Sequence, residues 1–211
     1  MMTLENFSLP FNPANYDEIK TLIRPKLVNA KADINPAKIA LPLIGDIKIM
    51  YSVYIGRGED GLHTAMAVTK ELLEAWGKTI AEIHAQAVAN IPLDHYKIKG
   101  VSDILREMGF GGFPSDEPDP FYVMKSDLDY YSAAAILNPT LMKKAKRKMN
   151  GNFYIIPSST NEILILNPDV DPAVVADMIK TVNTTEVADS EVLSNHLLAF
   201  DFDINFPIVV K

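Results

Sequence analysis

Ser158 and Ser159 lie in the polar tetrad Ser158-Ser159-Thr160-Asn161, between the apolar runs of FYIIPSSTNEILIL (153–166), and Glu162 follows directly. A hydroxyl exposed in such a turn can act as a nucleophile when a base reaches it and a third group orients that base. His196 and Asp201, downstream, are the side chains of the right type for those two roles. Ser158, Ser159, Glu162 and His196 therefore define a hydrolase or transferase hypothesis. Against it, the chain has no Gly-x-Ser-x-Gly elbow. Serines also populate turns simply because their hydroxyls bond nearby backbone.

Other chemistries find less support. His84 falls on the apolar side of a helical pattern, near Ile80, Ala87, Val88 and Ile91. That position suits a hydrogen-bonded core residue better than a tuned base. His63 and His95 have no partner four residues away, and no HExxH spacing occurs, so no metal site is expected. Asp116, Glu117, Asp119, Asp127 and Asp129 are oxygen donors, but their spacing is not that of an EF-hand and prolines interrupt them. Gly109-Phe110-Gly111-Gly112 lacks the Gly-Lys-Ser/Thr ending of a phosphate loop. No cofactor is expected.

Binding features are clearer. Lys143, Lys144, Lys146, Arg147 and Lys148 lie opposite and beside Leu141, Met142, Ala145 and Met149 on a helical wheel. They read first as the solvated side of an amphipathic helix, helped by the macrodipole at its C-terminal end. They also form a basic patch on an acidic chain, able to meet nucleic acid, acidic lipid or an acidic partner. No aromatic residues interleave with them to stack bases, so nucleic acid is the weaker option. Phe110 and Phe113, in the Gly/Pro-rich stretch 109–120, are candidate aromatic contacts for a protein partner.

The composition frames these choices. The chain has 211 residues, net charge −7 and no cysteine. An acidic balance argues against broad phosphate neutralisation. The lack of cysteine removes disulfides and thiolate chemistry, and fits a reducing compartment. MMTLENFSLPFNP has neither a basic n-region nor an apolar h-region, and no apolar run approaches the ~20 residues of a membrane span. A cytoplasmic protein without membrane segments is expected.

The elements that position these residues follow from periodicity. Residues 1–13 read as an arm, followed by a short helix from Tyr16 that stops at Pro25, and residues 25–37 show no period. Ile47–Ile55 and Leu62–Val68 read as strands around a Gly-rich turn. Thr69 caps a helix ending at Gly77, and Thr79-Ile80-Ala81-Glu82 is a capping box opening another. Short helices are expected over 102–108 and 128–137. Asn138-Pro139 starts the basic helix, 153–166 is a hairpin, Asp171-Pro172 starts a helix with Val174, Val175, Met178, Ile179 and Val182 on one face, and the tail is strand-forming. Hairpin-linked strands among amphipathic helices predict an α+β fold with antiparallel β-hairpins covered by helices. The organisation expected is an N-terminal arm over 1–37 and a body over 38–211, with 109–120 as an internal boundary. The apolar run Ile204 to Val210 offers an edge for a homo-oligomer.

Several stretches together carry a resemblance: TAMAVTKELLEAWG (64–77), TIAEIHAQAVANIP (79–92), FYVM (121–124), DYYSAAAILNPTLMKKAKRKMNGNFYIIPSSTNEILIL (129–166) and EVLSNHLLAFD (191–201). In this order they resemble the bacterial family catalogued as domain of unknown function 5688, over roughly residues 45 to 203. The family has no established activity, so the resemblance implies a shape and no mechanism. In that family the position before the hairpin glutamate is usually His, and here it is Asn161. A catalytic role for the family's His would be lost in this chain. The resemblance further implies an accessory or host-interaction role tied to mobile elements or phage. The leading expectation is a non-enzymatic protein that binds another protein.

Overall fold

The computed structural model describes residues 11–32, 34–111, 119–185 and 191–210. Two antiparallel sheets organise them, and the fold is α+β. The first sheet is built on β3 (Ile47–Arg57), the long β-branched and aromatic run. On one side β3 pairs with β1 (Ile23–Asn29), in register from Ile23↔Val53 to Asn29↔Ile47. Its other edge is shared by β2 (Ala40–Ile44) and β4 (His63–Ala67). β1 follows α1 (Tyr16–Ile19) and a single 3-10 turn over Lys20–Leu22. It has no helical or alternating signal, because Pro25 interrupts the pattern and most of its residues are buried. Pro25 is tolerated because β1 is an edge strand, where a missing N–H breaks no ladder.

The face of β3 bearing Ile49, Tyr51 and Val53 is buried, and α3 (Ile80–Asn90) packs against this sheet. Ahead of it lies α2 (Lys70–Trp76), capped by Thr69 and closed by Gly77 in the left-handed region at φ 60°. The Thr79–Glu82 capping box forms as expected, with Thr79 N–H donating to Glu82 Oε2 at 2.8 Å. The Trp76 indole N–H donates to the Pro13 carbonyl at 2.8 Å and ties the start of the described chain to α2.

The second sheet has six strands in the order β10-β9-β7-β8-β6-β5. They are β5 (Tyr96–Gly100), β6 (Phe121–Ser126), β7 (Tyr154–Ile156), β8 (Ile163–Leu166), β9 (Leu198–Asp201) and β10 (Phe206–Val209). The hairpin expected over 153–166 is the β7–β8 pair, in register from Tyr154↔Leu166 to Ile156↔Leu164. β5 was not anticipated as a strand. Its five residues, YKIKG, lie between the 3-10 turn Ile91–Asp94 and α4 (Val101–Glu107).

One face of this sheet carries Met124, Ile155, Ile163, Ile165 and Leu198 into the main core. That core also receives Ala133, Ala134 and Ala135 from a 3-10 segment (Ser132–Leu137), and Leu141, Met142 and Ala145 from α5 (Pro139–Lys148). The helix expected over 128–137 is therefore a 3-10 segment, wholly buried, whose alanines permit close approach to β1 and β6. The opposite face carries Ile156 and Leu166 to Val175 and Ile179 of α6 (Pro172–Thr185). Val174, Met178 and Val182, which the sequence places with them, are exposed instead. Asn183, one turn beyond Ile179, completes the buried face, and its amide donates to the Ser194 carbonyl at 3.1 Å.

Candidate functional site

The basic residues of α5 do not stand alone. Asn138 caps the helix by accepting from Leu141 N–H at 3.0 Å, and Pro139 occupies its first turn. Burial of Leu141, Met142 and Ala145 then fixes the helix roll. Lys143, Lys144, Arg147 and Lys148 are left exposed, and Lys146 is half-buried. Opposite them runs β5. A groove of about 510 Å³ separates the two elements, lined by Tyr96, Lys97, Ile98, Lys99, Lys144, Arg147 and Lys148. Its volume lies within the range of ligand clefts, about 300–1,000 Å³.

The charges in this groove differ in their partners. Lys97 pairs with Asp127 at 2.6 Å and Lys99 with Glu107 at 2.6 Å, both near the surface. Lys144 Nζ donates to the Tyr96 carbonyl at 3.4 Å. Lys146 sits 4.2 Å over the Phe202 ring and Lys148 5.3 Å over Tyr122. Among the described residues, no carboxylate forms an ion pair with Lys143, Lys144, Lys146, Arg147 or Lys148. Lys97 and Lys99 escaped notice in the sequence, although the alternation Tyr96-Lys97-Ile98-Lys99 is the signal of a half-buried strand. Phe110, beyond α4, is exposed at 57%. Phe113 lies outside the described residues.

The residues of the hydrolase hypothesis occupy the hairpin turn and the chain before β9. Ser158 donates to the Glu162 carbonyl at 3.5 Å, and Ser159 accepts from Asn161 N–H at 3.1 Å. Ser159 also bridges to Val192. His196 Nδ1 lies 3.0 Å from Asp46 Oδ1. Among the described residues, no hydrogen bond joins Ser158 or Ser159 to His196. Asp201 spends one carboxylate oxygen on its own turn, accepting from Asp203 N–H at 2.8 Å. Asn161 accepts from Tyr131 N–H at 3.2 Å and supports a left-handed residue at φ 50°.

A different serine, histidine and aspartate do meet. The Ser194 hydroxyl donates to Asp46 Oδ1, the oxygen that His196 Nδ1 also faces. In a nucleophilic triad the base accepts from the serine through one ring nitrogen and is oriented through the other. Here both neighbours face Nδ1, Ser194 Oγ at 3.4 Å, and Ser194 is fully buried. The arrangement works as a latch. Asn29 adds bonds to Asp46 Oδ2 at 3.3 Å and to the Leu193 carbonyl at 3.0 Å, tying the first sheet to the approach of β9.

This latch has a pH signature. Burial pushes the Asp46 carboxyl up, but the bonds from Ser194 and His196 outweigh it and hold the carboxyl below its ordinary range. A depressed carboxylate contributes stability above the unfolded pKa, about 3.9, and loses it as pH falls. Asp46→Asn is therefore expected to unfold at a lower temperature than the parent at pH 7, with the gap closing near pH 3. A gap of constant size across that range would count against the latch.

Elsewhere, His84 Nδ1 lies 2.9 Å from the Tyr51 hydroxyl, and burial pushes that phenol up to about 12. Tyr54, His63 and Tyr130 form an aromatic group, with His63 and Tyr130 centroids 4.9 Å apart. Among the described residues, no cluster of three or more His, Asp or Glu side chains could hold a metal ion. No helix there is long and apolar enough to cross a membrane.

Two antiparallel sheets, a buried 3-10 layer and a basic groove at one sheet edge define this α+β protein, with no recognised catalytic constellation among the described residues. The chain belongs to a family of unknown function (DUF5688), whose model matches residues 5–201. Neither a curated protein nor a solved structure shows significant similarity to it.

Proposed function

We propose that this chain is a non-enzymatic binding protein that captures an acidic protein partner through the groove between α5 and β5. The observation that carries this reading is the row of Lys144, Arg147 and Lys148 along the groove beside β5, without carboxylate ion pairs among the described residues, on a chain of net charge −7. The net negative charge repels an acidic partner at a distance, and the local cations of this groove favour one orientation on approach. Asp127 and Glu107 rim the β5 lysines and disfavour a continuous phosphate backbone. The lack of cysteine suits action in the cytoplasm.

Fluorescence anisotropy with a labelled Glu- and Val-rich peptide tests this. Reversing two charges, Arg147→Glu with Lys148→Glu, is expected to weaken binding at least about tenfold, or ~1.4 kcal/mol. Higher salt is expected to weaken the parent and leave the variant little changed, because screening acts on the charges the variant lacks. A single-stranded oligonucleotide of equal charge is expected to bind more weakly than the peptide. Equal affinity of parent and variant would remove the groove from the account.

A further inference from the structure

β5 closes the order of the second sheet, and three hydrogen bonds establish which of its backbone groups face outward. The Asp127 N–H donates to the Asp94 carbonyl at 3.1 Å, toward the β5 side. The Ser126 N–H turns the other way and donates to Ser132 Oγ at 3.0 Å. Backbone groups alternate in direction along a paired strand. Lys125 and Val123 therefore face β5, opposite Lys97 and Lys99 in the register. Tyr96, Ile98 and Gly100 then aim their N–H and C=O groups at the edge that no other strand among the described residues covers. The bond from Lys144 to the Tyr96 carbonyl agrees with that direction.

The two ends of this edge are occupied. Lys144 meets the Tyr96 carbonyl, and Gly100 leads into α4 beside Asp119, which accepts from Ser102 N–H at 2.7 Å. Between them, the N–H and C=O of Ile98 have no hydrogen-bond partner among the described residues. The groove opens onto this position.

We propose that an extended acidic segment of the partner protein adds to β5 as a further strand, exchanging backbone hydrogen bonds with Ile98. This rests on the reading of the groove given above and specifies how the partner is held. Strand addition draws affinity from main-chain bonds and specificity from alternate side chains. Successive side chains of the added strand point to opposite faces. On the α5 face they meet Lys144, Arg147 and Lys148. On the other face they run beside Lys97 and Lys99, whose charges Asp127 and Glu107 already balance. Acidic residues at alternate positions, with uncharged residues between them, are thus accommodated. A second copy of this chain is the wrong occupant, because its own β5 would bring lysines against lysines, a recognised defence of sheet edges.

The test uses the full chain and two versions of the Glu- and Val-rich peptide, one unmodified and one N-methylated at alternate backbone nitrogens. Charge is identical in the two. The methylated peptide is expected to bind at least about tenfold more weakly. The unmodified peptide is expected to slow amide exchange at Ile98. Ile98→Pro removes the outward N–H while the ladder to β6 stays intact, since edge strands accept proline. It is expected to lose affinity by a similar factor below its thermal midpoint, which falls modestly because the Ile98 side chain packs against the main core. Equal binding of both peptides, with Ile98 exchange unaltered, would overturn strand addition and leave the charge-based reading standing. No binding of either peptide at low salt would overturn that reading and the strand addition with it. An oligonucleotide that matches the peptide's affinity would overturn the choice of a protein partner.

Discussion

Arg24→Ala is expected to remove about 3–5 kcal/mol of folding stability, because it leaves Asp94 buried without its counter-charge. Arg24 Nε lies 2.9 and 2.8 Å from the two carboxylate oxygens of Asp94, and Nη2 lies 2.8 Å from Oδ1. Nη1 donates to the carbonyls of Thr21 and Ile23 at 2.7 and 3.1 Å. Both side chains are almost fully buried, at 9% and 3% exposure. The pair joins β1 to the 3-10 turn after α3, across a sequence separation of 70 residues. Domains of this kind are stable by about 5–15 kcal/mol, so the single substitution should cost a large share. Urea unfolding reads it directly. The double variant Arg24→Met with Asp94→Leu is expected to recover most of the loss, since replacing both buried charges by apolar groups is often neutral or better. A single variant that loses less than about 1 kcal/mol would place the pair among surface ion pairs in energetic terms.

Phe153→Ala is expected to cost a further, independent ~3–5 kcal/mol through lost transfer energy and the cavity it leaves. Phe153 is 2% exposed and enters the main core just ahead of β7. Its ring meets Phe202 edge-on, with centroids 6.0 Å apart. Phe110→Ala provides the contrast. That ring is exposed, and substitutions away from packed features stay within about 0.5 kcal/mol. Thermal or urea unfolding of the pair should separate them clearly. Similar losses at the two positions would contradict the assignment of the core.

The elements with strong local codes were legible in the sequence. Thr69, Gly77 and the Thr79–Glu82 box declared their helices because a cap uses only neighbouring residues. The β7–β8 hairpin declared itself by two apolar runs around a polar turn. β1 did not, because its pattern depends on which face β3 and the 3-10 layer cover, and Pro25 suggested a break. The exposed stripe Val174, Met178 and Val182 was misplaced for a similar reason. Five apolar residues fit a helical face, and only the packing of Val175 and Ile179 on β7 and β8 shows where that face lies.

The candidate site was half legible. The basic side of α5 could be read from the helical wheel, because Leu141, Met142 and Ala145 fix its roll. Lys97 and Lys99 could not be joined to it, since nothing local places β5 beside α5. The meeting of Asp46, Ser194 and His196 spans about 150 residues of chain and was likewise invisible. Once seen, its hydrogen-bond directions explain why residues of the right types need not form a nucleophilic site.

The most direct measurement is a backbone NMR map of the full chain titrated with the unmodified acidic peptide at low salt. Shifts are expected to concentrate at residues 96–99 and 144–148, and to vanish in the Arg147→Glu, Lys148→Glu variant. Shifts that concentrate instead at Ser158, Ser159, Glu162 and His196, and persist in that variant, would contradict the groove and return the hairpin turn to consideration as the site.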